Sequence, residues 1–428
     1  MSRAPGPLLL AACLALPAPA AAHIGLQPQT VDLQHPPGAD LPLDLESQFA
    51  YFVSDDGATW RFTCHEALLA DPQNPGTLLP RYVRTGDGAV LVTMGTPDLG
   101  FVPTVGVYRS TDGGCDWTGV NDLAGLAITG LAVLADGATV VAGSGAIDGG
   151  NGLWRSTDGG ASFAPTTVTS LDGYVTSVIA GGPGVAWAAS ADPGAGTASL
   201  HRTDDGGETW TTVPFLEPIE DETPANFRLL AVDPTDADHL HVTSAGQSFD
   251  YVHRSADGGT SWVQVHQDAS SMLDAAWWGD ELVATVGSLR PLRGDGESLT
   301  RDADLPFAQG VAARPAGVVL ATNALLEDAA IATMDSTGAV TAVFSFEDVT
   351  EELACPAGTR HADVCSPIWP DAAVVLALFA GDDDDDDTTA ADDDDTGAGQ
   401  ECGCDEDSAA PAQLLLLLGL PILRRRRA

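Results

Sequence analysis

Eight residues, Ser110 to Trp117 in the order STDGGCDW, recur along most of the chain and set the strongest limit on what it can fold into. The pattern is Ser/Thr-x-Asp-x-Gly-x-x-Trp/Phe, and it returns as STDGGASF from Ser156, TDDGGETW from Thr203 and SADGGTSW from Ser255. Each copy carries a hydroxyl (Ser110, Ser156, Thr203, Ser255), an aspartate (Asp112, Asp158, Asp205, Asp257), a glycine (Gly114, Gly160, Gly207, Gly259) and an aromatic ring (Trp117, Phe163, Trp210, Trp262). A fifth copy, VSDDGATW, keeps Asp55, Gly57 and Trp60 but has Val53 where the hydroxyl belongs. Two weaker echoes follow: Thr300, Asp302 and Phe307 with Asp304 at the glycine position, then Thr333 and Asp335 with Thr337 there and no aromatic.

Such a segment is a hairpin device. The aspartate and hydroxyl can bind backbone groups of a turn, the glycine permits a positive φ, and the ring folds back as an apolar plug. The aspartates fall at 55, 112, 158, 205, 257, 302 and 335, so seven turns are separated by 33 to 57 residues. A period of roughly 40 to 50 residues, filled with short strand-like runs, predicts a propeller with four strands per blade. The expected fold is all-β: a seven-bladed β-propeller of four-stranded antiparallel blades over residues 23–350.

The motif resembles the Asp-box, or BNR repeat, of sialidases, sortilin-type domains and photosystem II assembly-factor-like propellers. LAVDPTDADHLHV followed by HRSADGGTSW is similar to a whole blade of such proteins. By that resemblance the repeated turns join third to fourth strands, on the face opposite the ligand site. The other face would then be built by the loops joining second to third strands. Each of these holds a carboxylate: Asp98, Asp148, Asp192, Asp250, Asp295, and Glu327 with Asp328. A ring of such oxygens could hold Ca²⁺ or a cationic ligand.

Residues 1–22 read as a secretory signal peptide, with Arg3 ahead of an apolar run and small residues to Ala22. The formal charge is −43 with no lysine at all; 14 of the 61 acids follow residue 380. Residues 23–380 therefore hold 47 acids against 13 arginines, a net of −34. Such a body repels nucleic acid and anionic membranes and attracts cations or basic partners.

Catalytic sets are hard to find. The sialidase resemblance implies an arginine triad and a Tyr/Glu pair, for which Arg228, Arg290 and Arg293 are the candidates. Among 61 acids no pair stands out as a glycosidase dyad. Metal-ligand spacings and a serine nucleophile elbow are absent from the sequence.

Cysteines in an exported chain suggest disulfides. Cys64, in the fourth strand of blade one, and Cys115, in the turn of blade two, are expected to pair across blades. Cys355 and Cys365 bracket nine residues and are expected to close a local loop within a small cap, residues 351–380. Residues 381–401, rich in consecutive aspartates, read as a self-repelling linker. Then Cys402 and Cys404 precede an apolar run from Ala409 to Leu423 and four arginines, Arg424 to Arg427. This tripartite tail resembles a myxobacterial C-terminal sorting domain. The resemblance implies a membrane-embedded sorting protease as partner, cutting near Cys402 or Cys404, and display at the cell surface.

The sequence thus points to a surface-anchored propeller that binds a carbohydrate, protein or cationic ligand. The alternative is a secreted glycoside hydrolase, sialidase-like or glucan-degrading.

Overall fold

A computed structural model describes residues 30–68, 80–93, 106–145, 151–171, 173–215, 227–245, 248–324 and 326–377. The signal segment, the acidic linker and the tail with Cys402 and Cys404 lie outside these residues, as do Asp98 and Asp148. No described helix is long and apolar enough to cross a membrane.

Seven four-stranded antiparallel sheets follow one another along the chain, each made of consecutive strands. Blade one runs from Thr30–Gln34 to Arg61–Thr63, and blade seven from Ala308–Arg314 to Val340–Phe344. The weak echoes therefore sit in complete blades. The first strand of every blade lies innermost and packs against the first strand of the next, closing a ring around a central channel. Close approach is needed there: a Cβ on Gly310 of blade seven would fall 2.8 Å from the Cα of Asp32 in blade one.

The repeated turns show why these residue types recur. In blade two, Ser110 Oγ accepts from the Gly114 N–H at 2.8 Å and donates to Asp112 Oδ1 at 2.7 Å, while Asp112 accepts from the Asp116 N–H at 3.0 Å. Blades three, four and five repeat this pattern with Ser156 and Asp158, Thr203 and Asp205, and Ser255 and Asp257. The glycine φ values, from +74° to +105° across the five copies, explain why no other residue serves.

Blade one corrects the sequence register. Ser54 Oγ accepts from the Gly57 N–H at 2.9 Å, and Asp56 Oδ1 accepts from Ala58 and Thr59. The hydroxyl is Ser54 rather than a lost group at Val53, and the turn aspartate is Asp56, in a loop one residue shorter. Asp55 instead faces Arg61. In blade six the third-to-fourth turn is Asp295 to Ser298, where Asp295 Oδ1 accepts from Glu297 and Ser298, both at 3.0 Å. Asp302 lies beyond the fourth strand and faces Arg293. In blade seven Asp335 holds the turn, accepting from the Thr337 and Ala339 N–H groups.

These turns also stitch blades together. The aromatic ring packs back into the preceding seam: Trp60 lies 4.5 Å from Phe344 of blade seven, and Trp262 lies 5.1 Å from Phe215 of blade four. In blades two to five the arginine before the hydroxyl reaches forward. Arg109 donates to the Gly159 carbonyl at 2.8 Å and Arg155 to Gly206 at 2.6 Å, while Arg254 meets Glu297 at 3.3 Å.

The disulfides overturn both expected pairings. Cys64 joins Cys365 and Cys115 joins Cys355, each with Cα atoms 5.4 Å apart. Glu351–Glu352 adds a parallel fifth strand beside the last strand of blade one. The chain then passes Cys115, where the His361 N–H meets the Cys115 carbonyl at 3.0 Å, and returns over blade one to Cys64. The segment is thus laid along blades one and two rather than folded on itself. The helix Trp369–Ala377 follows, with Trp369 5.3 Å from Phe62.

Peptide mapping under non-reducing conditions should recover Cys64 linked to Cys365 and Cys115 linked to Cys355, without the Cys64–Cys115 or Cys355–Cys365 peptides. Replacing Cys64 and Cys365 with serine should destabilise by about 2–5 kcal/mol, because a long loop of the unfolded chain is released. Trp60→Ala should cost about 3–5 kcal/mol in a denaturant melt, since its ring fills the closing seam.

Candidate functional site

Local geometry first decides which side chains reach the channel. Six of the seven innermost strands carry a β-bulge near their start, at Val31, Thr129, Thr176, Leu230, Leu273 and Gln309. A bulge re-aims the residue after it. Those residues are Asp32, Gly130, Ser177, Ala231, Asp274 and Gly310. Two of six are aspartates, and the other four show that the fold accepts glycine, serine or alanine at the same place.

Asp32 and Asp274 are held alike. Asp32 Oδ1 accepts from the next N–H, Leu33, at 2.7 Å, and Asp274 Oδ1 from Ala275 at 2.9 Å. The second oxygens accept from Gln34 Nε2 at 2.8 Å and from the Val311 N–H of blade seven at 2.8 Å.

Two arginines begin inner strands: Arg81 in blade two and Arg228 in blade five. Arg81 has its side chain 54% exposed, yet lies within electrostatic range of Asp32, Glu46 and Asp274. Its Nη1 is 3.8 Å from Glu46 Oε1. Arg228 donates to the Met272 carbonyl and is attracted by Asp274 and Asp250. Asp250 accepts from the Met272 N–H at 3.0 Å. All six groups sit at the end of the channel formed by second-to-third loops and blade-to-blade connections.

Burial dominates their protonation. It pushes Glu46 up to about 8 against the attraction of Arg81. Burial, and then the charge of Asp32, pushes Asp274 up to about 7 against Arg228 and two backbone N–H groups. Asp32 and Asp250 are also raised by burial. On the opposite face the sign reverses: hydrogen bonds from Thr209 hold the turn aspartate Asp205 down to about 2.

Among the described residues the expected carboxylates do not form a ring. Asp192 caps its own turn, accepting from Gly194 and Ala195, and Asp328 is exposed in the second-to-third loop of blade seven. Asp250 turns inward to Met272. Asp295 lies on the opposite face, because the second-to-third connection of blade six is far shorter than the sequence suggests. Among the described residues no group of three or more His, Cys, Asp or Glu side chains could hold a metal ion.

The arginine candidates separate as well. Arg228 faces the channel, whereas Arg290 lies over Phe307 at 4.6 Å and Arg293 pairs with Glu281 at 2.6 Å, both on the third strand of blade six. His201, at an aromatic slot of the repeat, is a buried neutral histidine between Ser190 and Thr212, lowered by burial to about 4.

Sequence reasoning missed Asp32, Glu46, Arg81 and Asp274. The available signal was an acid interrupting an apolar strand run, TVDLQ and MLDAAWW, where aspartate is disfavoured.

No protein-family profile and no curated protein matches the chain. Solved structures do resemble it. An ancestral GH74 enzyme superposes with a TM-score of 0.51 at 16% identity, covering 74% of this chain and 46% of that one. A puromycin-hydrolyzing peptidase of Mycobacterium tuberculosis superposes at 0.47 with 14% identity, covering 77% and 55%. YCF48 from Cyanidioschyzon merolae does so at 0.38 with 14% identity, covering 57% and 76%. The chain thus spans less than half of the GH74 enzyme, and what is shared is the propeller fold.

Because Glu46 and Asp274 bind protons more tightly in the folded chain than in the unfolded one, their contribution is full in acid and is lost as pH rises through about 7 and 8. The melting temperature should therefore fall between pH 5 and 8. Asp274→Asn and Glu46→Gln should each flatten that fall, as read by calorimetry; an unchanged slope would place these groups in water.

Proposed function

We propose that this chain is an exported, surface-tethered propeller that binds a ligand at the loop end of its central channel and does no chemistry on it. The carrying observation is the mixed-charge cluster there: Asp32 and Asp274 on bulges, with Arg81 and Arg228 beside them. Four equivalent positions in the same molecule dispense with the acid, so the two aspartates are not required by the fold. Both are half-buried, and even a partnered carboxylate is costly to desolvate, which favours a ligand-facing role. The signal-like leader, the acidic linker and the Cys402/Cys404 tail support export and display, with a membrane-embedded protease processing the tail. Retention on a glycan or a surface protein fits this arrangement.

One observation favours a second reading. The charge of Asp32 raises the protonation of Asp274, and a carboxyl raised by a second carboxyl is the pattern of glycosidase acid and base. The second reading is a glycoside hydrolase acting at the same mouth.

Incubation of the purified protein with plant, bacterial and sialylated glycans, followed by mass spectrometry of bound and released material, separates the two. Retention without cleavage is the expected result. Fragments whose release disappears in Asp274→Asn would overturn binding alone and establish hydrolysis.

A further inference from the structure

The channel mouth holds more acid than base. Asp32, Glu46, Asp250 and Asp274 face Arg81 and Arg228, four carboxyls against two guanidinium groups. Glu46 is only 2% exposed, and while Oε1 lies near Arg81, Oε2 has no hydrogen-bond partner among the described residues. A buried carboxyl oxygen without a hydrogen-bond partner is a place where a partner is missing.

We infer that the channel mouth is a receptor for a single organic cation, a guanidinium or ammonium group such as an arginine or lysine side chain of a protein partner. This rests on the reading of the mouth as a binding site and gives that site its ligand class.

Three features select an organic cation over a metal ion. Among the described residues no three acidic, histidine or cysteine side chains are arranged closely enough to hold a metal ion. Asp32 already accepts from one backbone N–H and the Gln34 amide, and Asp274 from two backbone N–H groups, all from fixed directions, and each ionised carboxylate retains further lone pairs for N–H donors. Arg81, with its side chain half exposed, shows that a guanidinium is accommodated among these acids. The surrounding body, at −34, would steer a cation inward and repel an anionic ligand.

Binding is coupled to protons. The groups facing Asp274 are Asp32 on blade one, Arg81 on blade two, Arg228 on blade five and the Val311 N–H on blade seven. Adding a cation to this set favours the ionised carboxyl, so uptake near pH 7 releases a proton.

The test uses a probe with one charge, so that the acidity of the whole molecule does not produce multivalent adhesion. N-acetyl-Gly-Gly-Arg-Gly-Gly-amide is titrated into the full chain at physiological salt by calorimetry. One equivalent should bind, with a binding heat that varies with buffer ionisation enthalpy. Asp32→Asn and Asp274→Asn should each weaken binding about tenfold or more. Arg81→Gln, which removes a competing cation, should tighten it. Glu208→Gln, exposed on the opposite face, should leave it unchanged.

Equal weakening in Glu208→Gln would mean unspecific attraction and overturn the inference, as would weaker binding in Arg81→Gln. One-site Ca²⁺ binding that Asp32→Asn removes, with no peptide binding, would assign the mouth to a metal instead. Retention of a glycan that is insensitive to Asp32→Asn, again without peptide binding, would overturn the cation while leaving the binding reading intact. If neither the peptide nor any panel ligand is retained, both fail.

Discussion

Everything in this molecule depends on the seam where the last blade meets the first. Each blade is built from four consecutive strands, so no strand is shared across the closure and no backbone ladder holds it. Side chains and a few loop contacts must do so. Asp40 of blade one accepts from the Ala316 N–H at 2.9 Å, its carbonyl accepts from Arg314 at 3.0 Å, and Phe52, Trp60, Phe344 and Phe346 fill the gap. The tail then fastens the ring. Its disulfides span 301 and 240 residues, so they constrain an unfolded chain over most of its described length.

The remaining seams follow one rule, and the repeated turn supplies it. Its Asp, hydroxyl and Gly lock the hairpin locally, while its ring goes back into the preceding blade and the arginine before it goes forward to the next. One eight-residue device thus acts on two interfaces. This explains why a turn can be reduced in blades six and seven without loss of the blade. Arg293 there is held by Glu281 of its own blade, and blade seven is secured by the closing aromatics instead.

The fold was legible because it repeats. Four near-identical turns placed the strands around them, and periodicity supplied the rest. Blade one was misregistered because DD leaves two choices for one role, and only hydrogen bonds to Gly57 and Thr59 show that Asp56 takes it. The disulfides were misread because sequence proximity favoured a local loop, whereas the tail strand beside blade one carries its two cysteines to different blades. Of the channel only Arg228 and Asp250 were legible. Asp32 and Asp274 come together through bulges in blades one and six, and a bulge is a register shift between strands, invisible in either strand alone.

Those bulges separate what the fold requires from what it permits. The residue after the bulge may be glycine, serine, alanine or aspartate, and only the last carries a desolvation cost. That cost is partly offset where it arises, since the strand's own next N–H donates to each carboxylate. The offset is incomplete: Asp274 and Glu46 still sit near the point where a proton leaves. A site in that condition has an unfilled preference for positive charge. The ring holds it open because opposing walls belong to different blades, pinned by seams on the other face, and cannot close together to satisfy it.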